Sequence, residues 1–276
     1  MTSPNDPPND FPNDLTGHGP SSFDEWLQAF KEQLAFFTGL KLTDGGAPRW
    51  QLADVLPVLP FVGAAVGLAA GLVFAIVHGI GGPGWLAAAL AVGASALITR
   101  ALHEDGLADT ADGLGPHGLD TPRRLEIMRD SRNGTFGVLT LAISALIKVG
   151  CLAELGGSTG FAVLIAAHAL SRAVLAYPLL AFSPVRDNGL GVLAGKPGDT
   201  DVWLCVGIGA AIAFVLLLGH GFFVSILAPL AVMATTWFAA GWIAGKIGGY
   251  TGDTLGAIEQ KAEIVFLVVV ALFIAR

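Results

Sequence analysis

The chain has 276 residues, 53% of them hydrophobic and only 13% charged, with a mean hydropathy of +0.66 and a net charge of −7. A soluble domain carries about 25% charged residues, so a soluble globular fold is excluded, and the acidic balance gives no reason to expect a nucleic-acid partner. The apolar residues are grouped in long blocks, which predicts an all-α polytopic transmembrane helix bundle of about seven spans.

Residues 1–20 are rich in Pro, Asn and Asp and are expected to form a disordered extension without the apolar core of a cleavable signal peptide. The integral membrane domain then covers 21–276. In its first segment, 21–40, Phe23, Trp26, Leu27, Phe30, Leu34 and Phe37 share one helical stripe, and Ser22 with Glu25 fits a capping box. Such a helix either lies in the membrane surface or packs on the protein's own loops.

The spans are expected near 55–80, 84–102, 134–155, 159–182, 202–219, 221–243 and 258–275. Pro57 and Pro60 sit at the start of the first, where proline is tolerated or kinks the helix. In the last, only Ile264 to Ala275 is purely apolar, which is short of the ~20 residues a crossing needs. Frequent Gly and Ala allow close helix packing. Cys151 and Cys205 lie inside apolar blocks and are expected as small buried hydrophobes.

The basic residues orient the bundle. Lys31, Lys41 and Arg49 precede the first span. Arg123, Arg124, Arg129 and Arg132 follow the second, Arg186 and Lys196 follow the fourth, and Lys246 and Lys261 lie around the junction of the sixth and seventh. The alternate connections, around 80–84, 155–159 and 219–221, contain no Lys or Arg. The positive-inside rule places the N-terminus and the three charged loops in the cytosol, with Arg276 as the exception. A transporter should carry polar groups near mid-membrane on several helices. Here few are expected there, chief among them His78, Lys148, His168 and Arg172. The charges therefore suit an enzyme with its site at the cytosolic mouth.

The densest chemistry follows the second span. His103-Glu104-Asp105-Gly106-Leu107-Ala108-Asp109-Thr110-Ala111-Asp112-Gly113 puts four acids and a histidine into eleven residues. Asp105, Asp109 and Asp112, at i, i+4 and i+7, fall on one helical face over roughly two turns. Three carboxylates there repel unless a cation sits between them, and a hard divalent ion such as Mg²⁺ takes oxygen ligands. The bland alternative is a solvated acidic helix end. Gly106 and Gly113 would let a large substrate approach the backbone.

Three further segments offer phosphate contacts. Residues 123–137 combine arginines with Ser131, Gly134, Thr135 and Gly137 at the start of the third span, whose N-terminus can face an anion. Arg129, Asp130, Ser131 and Arg132 are assigned to substrate, and Arg123 and Arg124 to anchoring. Arg172, inside the fourth span, must face the bundle or a wet cavity, where either a phosphate or a pairing aspartate would explain it. His168, one turn earlier, is taken as a core histidine, and Lys148 is left out of the site. Arg186, beside Gly189 and Gly191, adds a candidate phosphate contact. The loop Gly248 to Ala257 surrounds Thr251 and Asp253 with four glycines but matches no P-loop. Asp253 is placed to complete a metal shell, and Glu259 and Glu263 form a polar face near Lys261. Together these residues predict phosphoryl transfer with a metal clamp. Asp112 or His103 would accept the proton of an attacking hydroxyl, and Asp109 also counts among the catalytic groups.

On these segments the chain resembles the cobalamin-5′-phosphate synthase family, also called adenosylcobinamide-GDP ribazoletransferases, over most of residues 35–263. The likeness rests on the His103–Gly113 stretch, Ile127-Met128-Arg129-Asp130-Ser131-Arg132-Asn133-Gly134-Thr135-Phe136-Gly137, Leu170-Ser171-Arg172, and Gly249-Tyr250-Thr251-Gly252-Asp253-Thr254-Leu255-Gly256-Ala257. It departs at Glu104, where an apolar residue is common, and in the polar N-terminal extension.

The resemblance implies a multi-pass enzyme of the bacterial inner membrane, late in cobalamin biosynthesis, with its active site facing the cytoplasm. Such an enzyme joins adenosylcobinamide-GDP to α-ribazole or its 5′-phosphate and releases GMP, with Mg²⁺ as cofactor. In that light Mg²⁺ on Asp105, Asp109 and Asp112 would neutralise the leaving phosphate. Arg129, Arg172 and Arg186 would hold phosphoryl oxygens, alongside Asp130, Ser131, Arg132, Thr251 and Asp253. The expected partners are the two substrates and membrane lipid, and a homo-oligomer is compatible with the sequence. One rival, a CDP-alcohol phosphotransferase, needs an Ala-Arg pair after its first two aspartates, whereas Gly113 is followed here by Leu114 and Gly115. A divalent cation transporter and a structural scaffold fit the charge distribution less well.

Overall fold

A computed structural model of the chain describes residues 19–43, 48–130, 132–187 and 189–274. Residues 1–18 of the expected extension, Ser131 and Arg276 lie outside the described residues. Within them every regular element is helical, apart from one isolated bridge between Pro184 and Tyr250.

Helix α1 (Phe23–Thr38) begins with the expected capping box: the Glu25 N–H donates to Ser22 Oγ at 3.3 Å, and the Ser22 N–H to Glu25 Oε2 at 3.3 Å. Its stripe is divided. Phe37 is buried, and Trp26, Phe30 and Leu34 pack on a core that includes Leu56 and Leu59, while Phe23 and Leu27 stay exposed. A 3-10 turn over Leu52–Val58 holds Pro57, and α2 (Leu59–Gly79) carries Pro60 in its first turn, where the missing N–H has no intrahelical partner to lose.

Helix α3 (Gly84–Ile98) ends in Arg100 and Ala101, both left-handed at φ 54° and 55°, and α4 (Leu102–Leu114) leaves at 90° to it. The expected span 84–102 is thus shorter. Its 15 residues rise about 22 Å, less than the ~30 Å hydrocarbon core. The acidic stretch is a separate helix, bent by 90° from α3 and not itself among the five stretches long and apolar enough to cross a membrane.

After α5 (Thr121–Ile127) come α6 (Thr135–Ala153), α7 (Gly157–Ala173), α8 (Ala176–Ala181), α9 (Leu190–Leu193), α10 (Asp199–Leu218), α11 (Phe222–Ile247) and α12 (Gly252–Ile274). Five helical stretches are long and apolar enough to cross a membrane, and the bent α3–α4 pair is a sixth candidate. The seventh expected crossing, α12, is long enough at 23 residues. It carries Asp253, Glu259, Lys261 and Glu263, however, so its apolar character alone does not qualify it. The outward faces expose large apolar side chains such as Leu146, Trp237 and Phe238, as helices facing hydrocarbon require.

The tightest helix pair is α2 against α7. Gly63, Gly67 and Gly71 recur every four residues on α2, and a Cβ at any of them would collide with α7 backbone at His168, Leu164 or Phe161. Small residues at this spacing let two membrane helices approach at the backbone level. Helix α4 packs mainly on α12 and α6, and that packing positions the site.

Candidate active site

Helices α4 and α12 cross at two glycines. A Cβ on Gly106 would lie 2.6 Å from the Asp253 carbonyl oxygen, and one on Gly256 would lie 3.2 Å from the His103 carbonyl oxygen. Gly106 was expected to admit substrate. Instead it admits the start of α12, and Gly113 is likewise filled by the Met128 side chain. The close crossing brings Asp105 and Asp109 of α4 toward Asp253 in the first turn of α12.

That first turn is fixed by a reciprocal cap. The Thr254 N–H donates to Thr251 Oγ1 at 3.3 Å, and the Thr251 N–H to Thr254 Oγ1 at 2.8 Å. Thr251 Oγ1 also donates to Asp253 Oδ2 at 3.3 Å, so the buried Thr251 orders the helix start that holds Asp253. An acid here gains from the helix dipole. The loop before α9 is tied to the same turn. The Val185 N–H donates to the Tyr250 carbonyl at 2.9 Å, and the Tyr250 N–H to the Ser183 carbonyl at 3.1 Å. Gly249 has no room for a Cβ against Ser183. This clamp sets Arg186 Nη1 3.0 Å from Asp253 Oδ2, while Nη2 donates to the Leu125 carbonyl at 3.3 Å. A small cavity of about 210 Å³ opens beside the pair, lined by Arg186, Gly189, Gly191, Tyr250, Thr251 and Asp253.

The local charge is lopsided. Burial, then the carboxylates of Asp105, Asp253 and Asp112, push the Asp109 carboxyl up to about 7, with Arg186 pulling the other way. The cluster of Asp105, Asp109 and Asp253, with Arg186 paired to Asp253, fits a hard divalent cation, whose charge would relieve the repulsion. The three aspartates of α4 are not a preformed cage. Among the described residues, the one set of three His, Cys, Asp or Glu side chains with ligand atoms mutually within 4.8 Å is His168, Glu259 and Glu263. That set already faces Lys148 and Arg172.

Asp112 departs from its expected part in the metal shell. Its Oδ2 accepts the Gly134 N–H at 2.7 Å, and its Oδ1 the Gly137 N–H at 2.9 Å. The anion awaited at the start of α6 is therefore a side chain of α4. Asp253 is the acid that lines the small cavity, and Asp105 and Asp109 of α4 lie near it.

The other expected residues disperse. His103 is 3% exposed, stacks on Phe37 at 5.6 Å, and points Nδ1 at Glu259 Oε2, 3.6 Å away. It lies buried, with neither ring nitrogen hydrogen-bonded. Arg129 stays exposed, with no carboxylate within 4.0 Å among the described residues. Arg132 pairs with neighbouring Asp130 at 2.7 Å and holds that carboxyl down to about 2.

Arg172 is 1% exposed and is paired, but with Glu259 instead of an aspartate of α4. Glu259 Oε1 accepts from Arg172 Nη1 at 2.6 Å and from Ser171 Oγ at 2.6 Å. One turn along, Lys148 Nζ lies 3.0 Å from Glu263 Oε2 and donates to Gln260 Oε1 at 2.7 Å. Spacing within α12 placed Glu259 and Glu263 on one face, but only the fold shows that face turned inward. Arg124, expected as an anchor, is also buried. It donates to the carbonyls of Gly113, Leu114 and Leu119 and so caps the C-terminus of α4.

No solved structure matches the chain. The sequence relatives are close. The adenosylcobinamide-GDP ribazoletransferase of Bradyrhizobium diazoefficiens is 43% identical over 217 residues, covering 78% of this chain and 82% of that one. The protein of the same name from Azorhizobium caulinodans is 40% identical over 234 residues, covering 83% and 88%. The one from Allorhizobium ampelinum is 39% identical over 222 residues, covering 77% and 83%. The family profile described as cobalamin-5-phosphate synthase matches residues 29–271, a stretch that contains α2 to α11, all but the last turn of α12, and every site residue above. The chain belongs to the cobalamin-5-phosphate synthase family.

Proposed function

We propose that this protein is an adenosylcobinamide-GDP ribazoletransferase of the bacterial inner membrane. The observation that carries the reading is the meeting of Asp105 and Asp109 with Asp253 and Arg186 at one end of the bundle. In the reaction, a hydroxyl of α-ribazole, or of its 5′-phosphate, attacks the phosphorus on the cobinamide side of the pyrophosphate. A phosphodiester forms, the bond to the GMP oxygen breaks, and GMP leaves.

Asp105, Asp109 and Asp253 would hold a Mg²⁺ ion, which would supply positive charge for the leaving phosphate. Arg186, fixed by Asp253 and the Leu125 carbonyl, presents its guanidinium toward the small cavity and holds phosphoryl oxygens there. The exposed Arg129 is free to contact the outer phosphate, whereas Asp112, Thr251 and Arg172 act by holding helices in place. A cavity of about 210 Å³ takes a phosphate group and leaves the large corrin outside.

The site faces the cytoplasm. The connections at the opposite end, 80–83, 154–156 and 219–221, contain no Lys or Arg, and the loops at the site's end hold Arg123, Arg124, Arg129, Arg132, Arg186 and Lys196.

The test is direct. Purified protein in nanodiscs receives adenosylcobinamide-GDP, α-ribazole and Mg²⁺, and GMP and corrinoid product are followed by chromatography. Both should appear in equal amounts. Arg186→Ala should lower kcat/KM by about 10- to 100-fold, the loss of a charge-assisted hydrogen bond of about 1.5–3 kcal/mol. Absence of GMP, or an unchanged rate in Asp109→Asn at limiting Mg²⁺, would overturn the assignment.

A further inference from the structure

The face of α4 turned away from the aspartates borders a second, larger cavity of about 510 Å³, lined among others by Leu107, Leu114, Phe136, Trp242, Lys246 and Lys261. It has no part in the reaction proposed above. The lining contains no Asp or Glu. Lys246 Nζ lies 5.8 Å, and Lys261 Nζ 5.6 Å, from the centre of the same Trp242 ring. Among the described residues neither ammonium has a carboxylate within 4.0 Å. Arg124, on the same wall, is held by three carbonyls and also lacks an acid.

Cations gathered on one aromatic ring repel each other, and the ring quadrupole offsets only part of that repulsion. An anion would complete the site. Thr110, His117 and Thr140 add polar groups to the lining, while Leu107, Leu114, Phe136 and Trp242 give it an apolar wall against which an occupant's apolar part can rest. The rim residues Phe136 and Trp242 are 48% and 42% exposed, and they stand on α6 and α11, whose outward faces expose Leu139 and Phe238. Two of the lining side chains thus stand on helices whose outward faces suit hydrocarbon, at the end of the bundle where basic residues concentrate.

We propose that this cavity binds a phosphate-bearing anion, with the phosphate on Lys246 and Lys261 and the apolar part against Trp242, Phe136 and Leu107. The occupant is an anionic phospholipid, its headgroup on the two lysines and its acyl chains along α6 and α11. A nucleotide on Trp242 would instead make the cavity part of the substrate site.

Wild type and Lys246→Ala/Lys261→Ala are reconstituted in phosphatidylcholine nanodiscs with and without phosphatidylglycerol, and lipid retained on release is counted by native mass spectrometry. GDP is titrated calorimetrically into the phosphatidylcholine-only discs. Two interfacial lysines at about 1 kcal/mol each predict about 30-fold weaker binding in the double variant. A loss of phosphatidylglycerol with GDP affinity unchanged establishes the lipid occupant. A loss of GDP affinity with lipid retention unchanged assigns the cavity to the substrate's nucleotide and overturns the lipid proposal. Equal binding of both ligands by the two proteins overturns the site. Lys246 is exposed, so the single variant Lys246→Gln leaves packing intact and gives the same comparison should the double variant unfold.

Discussion

The carboxylate of Asp112 and the backbone N–H of Gly137, 25 positions apart in the chain, are joined by a hydrogen bond of 2.9 Å. The second carboxylate oxygen takes the Gly134 N–H at 2.7 Å, so one acid of α4 closes the open N-terminus of α6. Both glycines are needed: a Cβ on Gly134 would sit 2.5 Å from Asp112 Oδ1, and one on Gly137 would collide with Oδ2. Hydrogen bonds to a charged group contribute about 1.5–3 kcal/mol each. Asp112→Ala should therefore destabilise the protein by about 2–4 kcal/mol. Gly137→Ala should cost a similar amount, and the double variant little more than either alone. Thermal unfolding in detergent would show this as a double-mutant cycle; additive losses would separate the two residues.

The acids of α4 also predict a pH dependence. With no divalent ion present, the Asp109 carboxyl is raised from 3.8 to about 7, chiefly by burial and then by neighbouring carboxylates. The folded state then holds a proton that the unfolded state has released, so stability falls as pH rises between about 4 and 7. Asp109→Asn should flatten this slope. Adding Mg²⁺ should stabilise wild type, most at and above pH 7 where the carboxylate is free of its proton, and should stabilise the Asn variant less. Unfolding temperature against pH, with and without EDTA, measures both effects. Equal slopes in the two proteins would remove Asp109 as their source.

Inside the bundle, the Arg172–Glu259 contact at 2.6 Å is a fully buried ion pair, with neither side chain more than 2% exposed. Removing one partner leaves a bare charge in an apolar medium, at about 3–5 kcal/mol. Either Arg172→Met or Glu259→Gln alone should lower the unfolding temperature sharply. The double variant should recover most of the loss, since the two charges disappear together. Failure of the double variant to recover would mean that Ser171 and Gln260, which also bond Glu259, carry the interaction.

Gly106 tests how the aspartates are assembled. A methyl group there would press on the Asp253 carbonyl, with only 2.6 Å available, and would move α12 away from α4. Gly106→Ala should cost about 1–3 kcal/mol as overpacking and should lower kcat more than it raises KM, because it displaces Asp253 from Asp109 without touching substrate. A variant with wild-type kcat would detach the α4–α12 crossing from the chemistry.

Much of this was legible in the residue pattern because it rests on local rules. The capping box at Ser22 and Glu25, the entry prolines of α2, and the limits of α6, α10 and α11 to within a few residues all follow from periodicity and end signals. The bend at Arg100 and Ala101 was not legible. Neither residue is a glycine, and nothing nearby in sequence requires positive φ; packing of α4 on α12 and α6 imposes it. The same packing turned the segment read as a spanning end into a separate helix bent by 90° from α3.

Local residue patterns sufficed for the membrane class, the helical architecture and the acids of α4, because hydrocarbon demands long apolar helices and a concentration of carboxylates stands out against them. Only the tertiary structure decided what each acid and base faces. It sent Asp112 to the start of α6, Arg172 to Glu259 and Arg186 to Asp253, and it drew Lys148 and Glu263 together within the bundle. The reason is physical. A buried charge must find an opposite charge or a hydrogen bond, and which partner it finds depends on which helices cross, a property of pairs distant in the chain that no local spacing records.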